Sequence, residues 1–346
     1  MSRIDIEKII RPDLIGMAAY SSARDEYSGN ASIYLDANEN PYNNGVNRYP
    51  DPLQAKLKKR IAEIKNVNTD QLFLGNGSDE CIDLLFRLFC RPGSDNVTAI
   101  APSYGMYAVS ARINQINLIE SSLNVDFSID TERLLKDAKG SKLLFICSPN
   151  NPTGQSFPKN QVIEILTRFN GIVVIDEAYI DFADDESMLT ELLNYPNLVV
   201  CQTFSKAYGM AGIRLGMLFA SPEIISWLNK IKPPYNINQL TQSFAFDKLG
   251  NLNQVQNEIE SIKKERSFLL KELAEIQCVE KVYPSDSNFI LIKVKNAVDS
   301  YNYLKNNGIV VRNRSSQLLC ENCLRLTIGT PEENLLLLKT LKEIVN

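Results

Sequence analysis

Short runs of apolar and β-branched residues alternate with amphipathic segments through the middle of the chain. The runs predict buried strands at residues 72–74, 97–101, 143–147, 172–175, 199–203 and 215–220. Between several of them, segments such as 81–90 and 161–169 have the apolar spacing of a helix. Short buried strands that alternate with helices predict a mainly parallel, doubly wound α/β sheet. In such a sheet a ligand lies beyond the carboxyl ends of the strands.

The last part of the chain predicts a second, smaller α/β unit. A long helix with a polar face, residues 253–275, leads out of the first unit. The segments that follow predict strands at 289–294, 309–312 and 323–328 and helices at 297–306 and 331–345. We therefore predict an N-terminal arm at residues 1–35, a large domain at 36–250 and a small C-terminal domain at 251–346.

Composition narrows the function classes. The 346 residues include no histidine, which excludes Ser-His-Asp hydrolases and histidine-ligated zinc sites. An enzyme with this sequence must move protons with a lysine, tyrosine, cysteine, carboxylate or cofactor. The net charge of −4 and the lack of a basic cluster argue against binding to nucleic acid. No apolar stretch is long enough to span a membrane, and the first residues alternate charged and apolar side chains, unlike the apolar region of a signal peptide, so we predict a cytoplasmic protein.

The cysteines give a weak signal. Seven cysteines, an odd number, do not suggest a disulfide framework in such a chain. Cys320 and Cys323 form a lone CxxC pair, which could bind zinc or act in redox chemistry. The alternative is two thiols near the start of a strand, and we expect no metal.

A lysine follows the predicted strand at 199–203, in the segment Thr203-Phe-Ser-Lys-Ala-Tyr-Gly209. Burial at this place would lower the pKa of Lys206 and free its amine to form a Schiff base. Ser205 and Arg214 would supply a hydroxyl and a guanidinium group for a phosphate. A Ser-Lys pair can equally be the plain end of a loop.

Two further strands end in polar residues. Asp176 follows the predicted strand at 172–175 and Tyr179 lies three residues beyond it. A carboxylate there can keep a cofactor ring nitrogen protonated, or it can cap the next helix. Asn151 lies in the Ser148–Gly154 turn after the strand at 143–147, where its amide could face a ring oxygen. Such a segment can also be a turn without a ligand.

The segment Gly75-Asn-Gly-Ser-Asp-Glu80 opens a predicted helix. Free backbone N–H groups and the helix dipole favour a phosphate at this point, with Ser78 as the expected N-cap. The segment matches neither the GxxxxGK[ST] loop nor the GxGxxG motif. A small phosphorylated cofactor therefore fits better than a nucleoside triphosphate or a dinucleotide.

Together these motifs supply an amine, a partner for a ring nitrogen, a donor to a ring oxygen and a phosphate site. In this order, over essentially its whole length, the chain resembles the fold-type-I aminotransferases, which use pyridoxal 5'-phosphate (PLP). The resemblance implies that Lys206, Asp176 and Tyr179 are catalytic, with Lys206 bonded to the cofactor and Asp176 at its ring nitrogen. The residues it assigns to cofactor binding are Ser78, Asp79, Tyr104, Asn151, Asp176, Tyr179, Ser205, Lys206, Arg214 and Tyr49.

Five segments, at residues 35–42, 48–51, 101–107, 176–179 and 323–330, are similar to those of histidinol-phosphate aminotransferases. The similarity implies transamination of histidinol phosphate with 2-oxoglutarate or glutamate, in histidine biosynthesis. It also implies a homodimer in which Tyr49 reaches the cofactor phosphate of the neighbouring subunit. Tyr20, Arg312 and Arg325 would face the substrate, and two guanidinium groups suit a phosphate dianion better than one carboxylate.

Two alternatives share this fold and cofactor. One is a lyase similar to threonine-phosphate decarboxylase, and the other is an aromatic amino-acid aminotransferase.

Overall fold

The computed structural model of the chain describes residues 5–20 and 32–344. Within these residues the strands form one seven-stranded sheet and one four-stranded sheet. The strands of the large sheet are β1 (Leu72–Asn76), β2 (Asn96–Ala101), β3 (Asn117–Ser122), β4 (Ser141–Cys147), β5 (Ile172–Asp176), β6 (Leu198–Thr203) and β7 (Leu215–Phe219).

The large sheet is mainly parallel, as the sequence predicts. Its spatial order is β1-β7-β6-β5-β4-β2-β3, and β7 runs antiparallel to both of its neighbours. The remaining neighbours pair in parallel. Strand β3 is absent from the sequence prediction. It lies at the edge of the sheet and most of its residues are partly or fully exposed, so it lacks a continuous apolar run.

Helices and short turns of 3-10 helix connect the strands. The α-helices are α1 (Ala55–Lys65), α2 (Gly77–Phe89), α3 (Met106–Ile113), α4 (Thr131–Asp137), α5 (Lys159–Arg168), α6 (Pro222–Ile231), α7 (Gln239–Lys248), α8 (Leu252–Ala274), α9 (Ala297–Asn306) and α10 (Pro331–Lys342). In the described part of the chain, none of them has the length and apolar character needed to cross a membrane.

Both faces of the large sheet are covered. Along β5, Val173 and Ile175 pack into one apolar layer, and Ile172 and Val174 pack into the layer on the opposite face. Successive side chains of a strand point to opposite faces, so a strand buried on both sides reads as a continuous apolar run. This burial explains why the central strands are clear in the sequence.

The small sheet contains β8 (Val279–Val282), β9 (Phe289–Val294), β10 (Arg312–Asn313) and β11 (Cys323–Thr327), in the order β10-β11-β9-β8. All of its pairs are antiparallel. The predicted strand at 309–312 is wrong in its bounds, because only Arg312 and Asn313 pair with β11. Val310 is 80% exposed, so its apolar character reflects no buried strand.

Helix α8 joins the two sheets. Its buried Arg266 donates to the backbone oxygen of Phe182, at 2.9 Å, and to that of Ser287, at 3.1 Å. Phe182 follows β5 in the large sheet, whereas Ser287 precedes β9 in the small one. Along the chain, all strands of the large sheet precede residue 250 and all strands of the small sheet follow it. The domain boundaries at residues 35 and 250 stay predictions.

A close approach of two backbone segments in the large sheet requires the glycine at position 216 of β7. A Cβ atom there would lie 2.3 Å from both the carbonyl carbon of Gly77 and the nitrogen of Ser78. We expect Gly216→Ala to lower the free energy of unfolding by about 1–3 kcal/mol, the usual cost of overpacking. Urea denaturation measures this loss. Gly212→Ala is the control, since nothing lies within 4 Å of its added Cβ. Equal losses in both variants would contradict the prediction.

Candidate active site

A cavity of about 130 Å³ opens where the carboxyl ends of β5 and β6 meet the start of α2. Its lining includes eight of the residues that the sequence assigns to the site. They are Ser78, Asp79, Tyr104, Asp176, Tyr179, Ser205, Lys206 and Arg214. Cys147, Ala178 and Thr203 complete the lining.

Lys206 lies just beyond β6, and its Nζ atom is 5.6 Å from the centre of the Tyr179 ring. Burial lowers the pKa of this lysine, and the positive charge of Arg325 lowers it further. Asp176 acts in the opposite direction, but the net pKa stays below the ordinary value. A lysine with a lowered pKa has more neutral amine near pH 7, the form that attacks a carbonyl carbon.

Asp176 is the last residue of β5 and is 2% exposed. The phenol of Tyr107 donates to its Oδ2 atom at 2.7 Å, and the backbone N–H of Ala178 donates to Oδ1 at 3.2 Å. Burial raises the pKa of Asp176 to about 6, while these two hydrogen bonds oppose the rise. Asp176 does not cap the next helical turn, Ile180–Phe182, because Tyr179 occupies that N-cap position. The bond from Ala178 is a local turn contact, and the carboxylate lines the cavity.

Tyr107 is a site residue that sequence reasoning did not assign. It lies in α3, it is 1% exposed, and its ring stacks on Phe145 with 4.8 Å between the ring centres. This pattern is typical of a core aromatic residue. The one signal in the sequence is that a buried phenol needs a hydrogen-bond partner.

Asn151, Tyr179 and Arg325 form a hydrogen-bonded chain. The Nδ2 atom of Asn151 donates to the phenol oxygen of Tyr179 at 3.3 Å. Arg325 of β11 donates from Nη1 to the Oδ1 atom of Asn151 at 2.6 Å. Burial raises the pKa of Tyr179, and the nearby Arg325 partly offsets that rise. The small sheet therefore contributes a guanidinium group to a site built on the large sheet.

Ser205, Arg214 and the start of α2 form the opposite end of the site. Arg214 lies 3.5 Å from the Ser205 hydroxyl through Nη1 and 3.3 Å from the Asp79 carboxylate through Nη2. The Asp79 carboxylate also accepts a hydrogen bond from Tyr104 at 3.0 Å. The N–H groups of Ser78 and Asp79 lie in the first turn of α2, where backbone donors have no partner within the helix.

The N-cap prediction for Ser78 is wrong. The helix begins at Gly77, and Asn76 occupies the N-cap position without a side-chain cap. Gly77 has a φ of 75°, and its N–H donates to the backbone oxygen of Arg214 at 2.9 Å. Because glycine tolerates this conformation, the chain turns into the helix one residue before Ser78. Ser78 then presents its backbone N–H, not its hydroxyl, as a helix-start donor.

Tyr49 and Tyr20 lie outside the cavity that contains Lys206. Tyr49 is half exposed, and its ring stacks on Tyr235 with 4.4 Å between the ring centres. It lines a separate cavity of about 430 Å³. Tyr20 is 68% exposed. Within one chain the structure does not bring either residue to Lys206, and their roles stay predictions.

Arg312 and Arg325 lie directly opposite each other in the β10–β11 ladder. The sequence prediction that these two residues converge therefore agrees with the register. Arg312 is exposed, whereas Arg325 is partly buried beside Asn151.

The donor set fits a small cofactor that carries a phosphate, a carbonyl carbon and a basic ring nitrogen. A guanidinium group at a helix start suits the phosphate, an amine with a lowered pKa suits the carbonyl carbon, and a buried carboxylate suits the ring nitrogen. Glycine keeps the phosphate end open, since a Cβ on Gly77 would lie 2.6 Å from the Nη2 atom of Arg214.

Because Tyr107 donates to the Asp176 carboxylate, we predict that removal of its phenol destabilises the fold more at high pH than at low pH. The pKa of Asp176 in the fold, about 6, exceeds its ordinary value of 3.8, so ionising it costs stability as the pH rises through this range. Without the phenol the pKa rises further. We expect Tyr107→Phe to lower the free energy of unfolding of the cofactor-free protein by about 1.5–3 kcal/mol at pH 8 and by less at pH 4.5.

Urea denaturation at the two pH values measures this difference. In an Asp176→Asn background the effect of Tyr107→Phe should lose its pH dependence, because the titrating group is gone. A loss that is equal at both pH values in the Asp176 protein would contradict the prediction.

Residues 27–341 match the family described as aminotransferase class I and II. A histidinol-phosphate aminotransferase of Christiangramia forsetii is 52% identical over 349 residues, which cover 100% of this chain and 100% of that protein. One of Flavobacterium johnsoniae is 54% identical over 346 residues, covering 99% of each. The solved structure of the histidinol-phosphate aminotransferase from Clostridium acetobutylicum has a TM-score of 0.80 at 29% identity, over 86% of this chain and 90% of that one. The chain therefore belongs to the aminotransferase class I and II family.

Proposed function

We propose that the chain catalyses PLP-dependent transamination between histidinol phosphate and 2-oxoglutarate or glutamate, a step of histidine biosynthesis. The observation that carries the proposal is the arrangement of one site with a nucleophilic lysine and converging guanidinium groups from the small sheet. The full-length relatives at 52% and 54% identity carry the name of this activity, which supports the same substrate.

The cofactor contacts follow from the positions of the side chains. Lys206 would bond to the carbonyl carbon of PLP, and the Asp176 carboxylate would accept a hydrogen bond from the protonated ring nitrogen. Tyr179 and Asn151 would contact the ring hydroxyl, since they already share a hydrogen bond. Tyr104 would lie against the ring face. The remaining groups, at the phosphate, are Ser205, Arg214 and the N–H groups of Ser78 and Asp79.

When bound, PLP acts as an electron sink for the negative charge that develops on the substrate carbon. Lys206 would take the proton from the substrate carbon. Its Nζ atom is partly desolvated and lies near the ring of Tyr179. Asp176 would stabilise the positive charge of the ring nitrogen, and the hydrogen bond from Tyr107 favours the ionised carboxylate that this requires. No step requires histidine, in agreement with the composition.

The substrate end of the site contains Arg312 and Arg325. Their guanidinium groups would bind the phosphate of histidinol phosphate in one half-reaction and a carboxylate of glutamate in the other. Tyr20 would contact the substrate from the N-terminal arm. Arg325 also fixes the orientation of the Asn151 amide, because its Nη1 donates to Oδ1 and leaves Nδ2 to face Tyr179.

We further propose a homodimer located in the cytoplasm. In its own chain Tyr49 lines a different cavity from the one that contains Lys206, and we infer that it reaches the cofactor phosphate of the neighbouring subunit. All seven cysteines of the chain lie in the described residues and are unpaired thiols. Unpaired thiols are typical of a reducing compartment.

A substrate panel tests the proposed function. We expect histidinol phosphate to discharge the absorbance of the lysine-bound cofactor and, with 2-oxoglutarate, to yield glutamate. Lys206→Ala is the control that should lack both the absorbance and the turnover, because it has no amine to bond or to move the proton. Carbon dioxide released from threonine phosphate would favour the lyase instead. Equal or faster turnover of aromatic amino acids would favour the broad aminotransferase.

A mixing experiment tests the shared site. Lys206→Ala and Tyr49→Ala dimers should each be inactive or nearly so, the second because it binds the cofactor phosphate poorly. Mixed dimers hold one site with both residues intact. After random exchange of subunits, we expect roughly a quarter of wild-type activity, since about half of the dimers carry one intact site in two. A monomeric protein, or no recovery after proven exchange, would contradict the prediction.

A further inference from the structure

A third arginine lies beside the two that the sequence assigns to the substrate. Arg314 follows Arg312 by two residues, and its backbone N–H donates to the backbone oxygen of Cys323 at 2.8 Å, which continues the β10–β11 ladder. Residues two apart in a strand share a face, and so do residues directly opposite each other. Arg312, Arg314 and Arg325 therefore lie on one face at the edge of the small sheet.

We propose that Arg314 is a further substrate-binding residue, which completes a three-guanidinium site for the phosphate group of the substrate. The inference rests on the proposed function and deepens it. It assigns discrimination between a phosphate dianion and a carboxylate to a residue outside the segment at 323–330.

The first support is charge. Like charges on neighbouring strand positions destabilise a sheet, unless a partner of opposite charge compensates them. No ion pair joins Arg312, Arg314 or Arg325 to a carboxylate among residues 5–20 and 32–344. Burial lowers the pKa of Arg314 to about 10, and the charges of Arg325 and Arg312 contribute to that fall. An anion bound among the three would offset this repulsion.

The second support is a pair of unsatisfied donors. The Nε atoms of Arg314 and Arg325 are both buried and have no hydrogen-bond partner within the part of the chain that the structure describes. A buried donor without an acceptor costs free energy. Arg133 has the same unpaired Nε atom, but its Nη2 donates to Asn124, and it belongs to α4 in another part of the molecule. The distinguishing feature is thus two such donors within one cluster of arginines.

The third support is the chemistry of the two substrates. A carboxylate is satisfied by the two parallel hydrogen bonds of one guanidinium group, whereas a phosphate dianion has more oxygens and twice the charge. The site proposed here must bind both, one in each half-reaction. Two arginines are enough for glutamate, so the third contributes mainly when the phosphate is present.

Kinetics of Arg314→Gln test the inference. For histidinol phosphate we expect kcat/KM to fall by about 10- to 150-fold, the value of one charge-assisted hydrogen bond. For unphosphorylated histidinol, and for the half-reaction with glutamate, the fall should be within about threefold. Arg314→Lys, which keeps the charge but not the planar fork, should recover part of the loss. Arg133→Gln is the matched control and should leave kcat/KM unchanged for both substrates.

A second readout does not depend on turnover. We measure thermal unfolding of the PLP-loaded protein at low salt, with and without inorganic phosphate. The PLP already occupies its own phosphate site, so added phosphate reports on the substrate end. Phosphate should stabilise the wild type and Arg133→Gln more than Arg314→Gln. Without phosphate, Arg314→Gln should unfold at a higher temperature than the wild type, because one of three repelling charges is gone.

The outcomes separate the inference from the proposed function. If the wild type transaminates histidinol phosphate and Arg314→Gln loses equally on histidinol and its phosphate, the inference is overturned and the function stands. If phosphate stabilises the wild type and Arg314→Gln equally, the inference is likewise overturned. If the wild type does not turn over histidinol phosphate, the proposed substrate is wrong. A stabilisation by inorganic phosphate that requires Arg314 would in that case still assign this residue to an anion site.

Discussion

A carboxylate held at the end of a strand that is buried on both faces is the constraint on which the site depends. The apolar residues of β5 continue to Asp176 without an exposed position, so the carboxylate enters the cavity from the interior of the sheet. Burial favours its protonated form, while the hydrogen bonds from Tyr107 and Ala178 and the positive charge of Lys206 oppose this. The charge at the site therefore depends on the packing of the large sheet, because the helix that covers the sheet also supplies the phenol.

The site has charges of opposite sign on either side of its lysine. Asp176 and Asp79 raise the pKa of Lys206, while Arg325 and Arg214 lower it. Burial is the largest influence and decides the direction. A lysine in water is almost fully protonated near pH 7, and both the burial and the arginines shift Lys206 towards the neutral amine. The arginines thus act on the lysine at a distance as well as on anions by contact.

Much of the fold could be predicted, because the signal depends on burial alone. Strands β4 to β7 are covered on both faces and leave continuous apolar runs, whereas β3 and β8 are mostly exposed or half-buried and leave none. Lys206 and Asp176 could be predicted for a similar reason, since a polar residue directly after a buried strand stands out in the sequence. Tyr107 and Arg314 were not, because their roles depend on neighbours that are distant in the sequence. The start of α2 was misplaced because Gly77 adopts a positive φ that its neighbours do not reveal.

The bond between Arg325 and Asn151 shows why the small sheet cannot be treated as a separate unit. One guanidinium group on β11 contacts the amide that orients the phenol of Tyr179, and the same group lies opposite Arg312. The Nη1 atom of Arg325 donates to Asn151, while its Nε atom has no hydrogen-bond partner among the described residues. An anion bound at the small sheet and a ring bound at the large sheet would therefore share one arginine. Any shift of β11 relative to β5 would change both contacts together, which makes the relative position of the two sheets part of the chemistry of the site.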